Sequence, residues 1–100
     1  METIIQEQDG KMVAFLKGRL DTAAASETET AMNVLYDCNE KDIILNCTKL
    51  EYISSAGLRI FLALLQNSQE KGGHVYIRGI SDNVRAVFAL TGFINIFEFI

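Results

Sequence analysis

The sequence predicts an α/β fold: a mixed, mostly parallel β-sheet with helices packed on it, in the order β-β-α-β-α-β-α-β. Three observations predict it. Asp9-Gly10 lies between two β-rich runs and marks a tight hairpin. Asp42–Cys47 is a short run that is apolar on both faces, which suits a central strand covered by helices. Strand-like and helix-like runs then alternate, and repeated strand–helix–strand units build parallel neighbours.

The elements follow in order. Thr3–Gln8 and Lys11–Lys17 form the arms of the hairpin. Gly18-Arg19-Leu20-Asp21-Thr22 reads as a loop, and Asp21 or Thr22 can cap the next helix by accepting from its free N–H groups. That helix is expected over Ala23 to Cys38, with Ala24, Ala31, Leu35 and Cys38 on one face and Glu27, Glu29 and Asp37 in water. The Asp42–Cys47 strand comes next. A long helix is expected from about Ser55 to Lys71, ended by Gly72-Gly73, where left-handed backbone is cheap. His74–Arg78 alternates as a strand. Ser81 caps a short helix that carries Val84, Val87 and Phe88 and closes at Gly92; Ile94–Ile100 gives a last strand. There is no proline, so Gly, Asp, Asn and Ser supply the punctuation.

A chain of 100 residues is expected to form one domain, residues 1–100, with one modest core. The net charge of −4, with no basic block, argues against nucleic acid and anionic membrane as partners. The N-terminus lacks a basic region followed by a long apolar run, and Ile60–Leu65 is too short to span a bilayer, so a cytoplasmic location is expected. Cys38 and Cys47 read as reduced, buried thiols. No Cys/His ligand cluster is present, and neither a metal nor a cofactor is expected.

The most informative stretch is Leu50–Ile60, which places Ser54, Ser55 and Gly57 between a buried strand and an apolar helix. Unpaired N–H groups and the helix dipole at such a start favour negative charge, so a phosphate is tolerated there. One serine suffices as a helix cap, which leaves the other free. Gly57 costs helix propensity of about 1 kcal/mol relative to Ala, which suggests close approach by another backbone or a ligand. Arg59 lies one turn after Ser55 on the same face; it is either a solvated arginine or the partner of a phosphate on Ser55. Asp21 is a helix cap, and also part of the site if its strand runs parallel beside the one before Ser54. Within the long helix, Leu58, Phe61, Leu62 and Leu65 mark the core side, and Ile60 and Leu64 form an apolar flank. The whole apolar arc is about 200° wide. A neighbouring helix covers this flank, or it docks a partner or a second copy of the chain.

Nucleophilic hydrolysis fits poorly. Gly-x-Ser-x-Gly is absent, and His74, the sole histidine, belongs to the opposite end of the predicted sheet. A Walker phosphate loop is absent too.

The chain resembles a STAS domain of the anti-sigma factor antagonist family, nearly end to end. The matching segments are Gly18-Arg19-Leu20-Asp21, the Ile43–Asn46 strand, Leu50-x-Tyr52-Ile53-Ser54-Ser55-Ala56-Gly57-Leu58, Gly72-Gly73, and Val84-x-x-Val87-Phe88 with Gly92-Phe93. The resemblance implies a non-enzymatic partner switch. The unphosphorylated antagonist binds an anti-sigma factor serine kinase and frees the sigma factor. Phosphorylation of Ser55, with Ser54 as the alternative acceptor, breaks the complex, and a serine phosphatase resets it. The docking surface is expected at Asp21, Thr22, Tyr52, Ser54, Ser55, Ala56, Gly57, Leu58, Arg59, Ile60 and Leu64. One departure is Ser54, where kinase-regulated members usually carry Asp. The alternative role is that of a constitutive docking subunit on a transporter ATPase or in a signalling assembly.

Overall fold

Asp9 and Gly10 take left-handed backbone, with φ of 53° and 79°. This conformation lets strand β1 (Glu2–Gln8) turn directly into β2 (Lys11–Leu20) with an unbroken antiparallel register from Glu2–Lys17 to Gln8–Lys11. A computed structural model describes residues 1–37 and 41–100. After β2 come α1 (Thr22–Met32), a 3-10 turn (Asn33–Asp37), β3 (Ile43–Ile53), α2 (Ser55–Glu70), β4 (Val75–Arg78), α3 (Asp82–Leu90), a second 3-10 turn (Phe93–Asn95) and β5 (Glu98–Phe99). The five strands form one sheet in chain order, with every pair after β1–β2 parallel. This is the expected α/β class with a mixed, mostly parallel sheet.

One apolar cluster joins Met32 of α1, Phe61 and Leu64 of α2, and Phe88 of α3 to Ala14, Leu16, Ile43, Leu45, Val75 and Ile77 of the strands. All these strand residues share one side of the pleat, so the three helices pack on a single face of the sheet. Phe61, Phe88 and Phe97 meet at ring separations of 5.7–6.5 Å, two of the three contacts edge-on. Val13 and Ile44 are buried on the other face and lie outside that cluster.

The loop expected over Gly18–Thr22 is instead the end of β2, up to Leu20, then the Asp21 cap and the first residue of α1. Four further expectations change. The helix after Asp21 ends at Met32, where the poor helix formers Asn33 and Val34 give way to a tighter turn. Its buried residues are Thr28, Met32 and, in the 3-10 turn, Leu35, whereas Ala31 is exposed. Ala24 packs half-buried against the core as expected, and the larger Met32 side chain takes the inward place expected of Ala31. Cys38, the expected end of this helix, lies outside the described residues. The strand expected at Asp42–Cys47 runs on to Ile53. Eleven residues of β3 lie along Met12–Leu20 of β2, with register shifts near Phe15–Lys17 and Gly18–Arg19. Each shift is a bulge that adds a residue to β3: the first brings Leu50 to the core side, and the second returns Ile53 to it. The final strand shrinks to Glu98–Phe99, because Gly92, at φ 79°, opens a 3-10 turn that sets Phe93 and Ile94 against the core. The fourth concerns the flank of α2, described with the site.

Candidate functional site

β2 and β3 end side by side and parallel, with Leu20 paired to Ile53. Their following loops therefore share one edge of the sheet. The Ser54 N–H donates to the Leu20 carbonyl at 2.9 Å and ties the two loops together. On the β2 side, Asp21 caps α1: its Oδ1 accepts from the Ala24 N–H at 2.9 Å, and its backbone is extended. Thr22 follows as the first, exposed residue of α1.

On the β3 side, the two serines divide two roles. Ser54 is the cap. Its Oγ accepts from the Gly57 N–H at 3.2 Å, its carbonyl accepts from the Leu58 N–H at 3.0 Å, and it is only 9% exposed. Ser55 is the first helical residue and is exposed. Arg59 follows one turn later, also exposed, and Ala56 is half-buried. Leu62 and Gln66 continue the Ser55 line along α2, the first half-buried and the second exposed. Tyr52 is 37% exposed. The Arg19 guanidinium lies over its ring, with Cζ 4.5 Å from the centroid.

Besides the nearly buried Ser54, the structure removes four expected residues from the surface. Gly57 and Leu58 are buried, and so are Ile60 at 4% and Leu64 at 0% exposure. The close approach that Gly57 serves is internal. A Cβ there would lie 2.7 Å from Leu20 Cγ and 2.8 Å from Ile53 Cγ1. The flank of Ile60 and Leu64 packs into the core because the buried arc of α2 is centred near Phe61 and Ser68, between the two expected apolar sides. Neither residue can touch a partner or a second copy while α2 is docked.

Arg19 was not among the expected site residues. Its place follows from the β2–β3 register, Arg19 opposite Tyr52. The bulge that sets this register leaves no mark in the local sequence pattern. His74 sits beside the start of β3, where its carbonyl accepts from the Ile43 N–H at 2.8 Å. The whole of β3 separates it from Ser54 and Ser55, which rules out a serine–histidine pair. Among the described residues no His/Cys/Asp/Glu group is placed to hold a metal. Cys47 is a free, buried thiol whose pKa burial pushes up to about 12. Among the described residues no helix is long and apolar enough to cross a membrane.

This edge therefore presents an exposed serine at a helix start, flanked by Thr22, Tyr52 under Arg19, and Arg59. The STAS domain model matches residues 2–100. The chain is 32% identical over 97 residues to BtrV of Bordetella bronchiseptica, which carries the name of an anti-sigma factor antagonist; the match covers 97% of this chain and 84% of that one. The fold is similar to the crystal structure of an anti-sigma factor antagonist from Mycobacterium paratuberculosis (TM-score 0.87, 21% identity, 98% of this chain and 83% of that one). It is also similar to SpoIIAA in its unphosphorylated form (TM-score 0.81, 20% identity, covering 99% and 88%) and in its phosphorylated form (TM-score 0.73, 19% identity, covering 99% and 91%). With nearly its whole length matched by the family model, the chain belongs to the STAS domain family.

Proposed function

We propose that this chain is an anti-sigma factor antagonist that works by partner switching. In the unphosphorylated state the edge around Ser55 docks on an anti-sigma factor that is also a serine kinase, and the sigma factor is released. The kinase transfers the γ-phosphoryl group of ATP to Ser55 Oγ, which loses its proton, and ADP departs. The phosphate adds about two negative charges in the middle of the docking surface, so the complex separates while the fold remains. A serine phosphatase removes the phosphate and restores docking. The names of the relatives support this reading.

The observation that carries it is the division between the two serines. Ser54 is committed to the helix cap and nearly buried, whereas Ser55 stands exposed on the next residue. A phosphate on Ser55 meets a helix N-terminus, which favours negative charge, with Arg59 one turn away on the same face. Asp in the place of Ser54 would cap equally well, so serine there leaves the cap intact.

The test is site-mapped intact mass of the protein from its native cells, paired with binding of Ser55→Ala and Ser55→Asp to the cognate kinase. One phosphate on Ser55, constitutive binding by Ser55→Ala and loss of binding by Ser55→Asp are expected. Phosphate on Ser54 would overturn the residue assignment. Absence of phosphate in every growth state, with equal binding by both variants, would favour a constitutive docking subunit of a transporter ATPase or signalling assembly.

A further inference from the structure

The face of the sheet away from the helices carries a groove of about 460 Å³ across β1, β2 and β3. Its volume falls within the range of small-molecule sites. Its floor is the cross-strand pair Ile4 and Phe15; Ile4 is 44% exposed, and both lie outside the helix-covered core among the described residues. At the β3 end stand Lys17 and Lys49, directly opposite each other in the β2–β3 register. Like charges in that relation repel. Neither lysine has an ion-pair partner among the described residues.

The placement of Lys49 depends on the first bulge of β3. Along a regular strand Asn46 and Thr48 point to the open face and Lys49 to the core. The added residue sets Lys49 beside Lys17 on the open face instead. Asn46 adds a donor. Its Oδ1 accepts from the Thr48 N–H at 3.1 Å, which leaves the Nδ2 hydrogens without a protein partner among the described residues.

We propose that this groove binds a small amphipathic anion, with a carboxylate or phosphate head between Lys17, Lys49 and Asn46 Nδ2 and an aliphatic chain over Phe15 and Ile4. The distance from β3 to β1 is two strand spacings, about 10 Å, which a medium-length chain spans. A nucleic acid or a strongly acidic peptide fits less well, because Glu2 closes the same row as the two lysines and the chain as a whole carries −4. The site is separate from the start of α2 and does not depend on Ser55.

The test is a titration of the ¹⁵N-labelled chain with decanoate, decyl phosphate, decanol and decyltrimethylammonium, each below its micelle concentration. Saturable amide shifts centred on Ile4, Phe15 and Asn46 are expected with the two anions. Decanol should bind at least about tenfold more weakly, and so should decanoate to a Lys17→Ala/Lys49→Ala variant, since each loses a charge-assisted hydrogen bond. Both lysines are exposed, so the variant should keep the parent circular dichroism. Ile4→Glu should weaken decanoate without altering the fold. Absence of saturation, equal binding of decanol, an unaffected lysine variant or shifts centred on another surface would each overturn the assignment. Cosedimentation with phosphatidylglycerol vesicles without a decanoate response would also overturn it and point to an anionic lipid surface.

Discussion

The N–H of Ser54 donates to the carbonyl of Leu20 at 2.9 Å, which extends the β2–β3 ladder one step past its last residue pair. The same Leu20 fills the space a Cβ on Gly57 would need. Two contacts with one residue thus hold the start of α2 against the end of β2, and the position of Ser55 follows from them.

Gly57→Ala should destabilise the protein although alanine is the better helix former. The gain in propensity is about 1 kcal/mol. The added methyl would meet Leu20 Cγ at 2.7 Å and Ile53 Cγ1 at 2.8 Å, and overpacking of this kind costs about 1–3 kcal/mol. Urea unfolding should show a net loss; a net gain would mean that Leu20 moves aside freely.

Ser54→Ala and Ser55→Ala should differ in stability. Loss of the Ser54 cap costs about 1 kcal/mol, whereas Ser54→Asp should stay within about 0.5 kcal/mol of the parent because aspartate caps as well. Ser55→Ala should also stay within about 0.5 kcal/mol, as an exposed substitution does. Thermal unfolding of the three variants separates cap from acceptor.

Ser55→Asp should unfold no earlier than the parent. A carboxylate in the first turn of a helix gains about 0.3–1 kcal/mol at low ionic strength, and the gain should shrink with added salt. A partner that releases this variant would then be responding to surface charge, with the fold unchanged.

Tyr52→Ala should weaken docking by about 1 kcal/mol or more if the exposed ring is an interface anchor. The change removes the platform beneath Arg19, so Arg19→Ala should have an effect in the same direction. Because the two residues touch, the double variant should lose less than the separate losses predict. A binding titration of the two singles and the double measures the coupling.

The Cys47 thiol should resist iodoacetamide in the folded protein at pH 8 and react after unfolding. Its pKa is about 12 in the fold, against about 8.5 for a free thiol. The unfolded chain therefore releases the proton first, and stability should fall as pH rises from about 8.5 towards 12. Cys47→Ala should show a smaller fall over that window in urea midpoints measured at successive pH values.

What was legible in the sequence was local. The Asp9-Gly10 turn, the caps at Asp21 and Ser81 and the stop at Gly72 each depend on a residue's own backbone preference or on a hydrogen bond three residues away. The second half of β3 was not legible, because two bulges break the alternation that identifies a strand. Its burial from Cys47 to Ile53 recurs every third residue. The facing of α2 was not legible either: an arc about 200° wide does not fix its own centre, and only packing on Leu20 and Ile53 decides it. Within the site, the exposed serine was readable from its neighbours, whereas Arg19 over Tyr52 required the register.

The two bulges give β3 two residues more than β2 between the pairs Phe15–Asn46 and Leu20–Ile53. Removal of one of the extra residues, Thr48 or Glu51, would close its bulge into regular strand and leave Leu50 and Ile53 on the core side. Leu20 would still pair with Ile53, and the Ser54 N–H would still reach the Leu20 carbonyl. The segment before Ser54 therefore has slack in its length: it can lose a residue and keep the edge that carries Ser55.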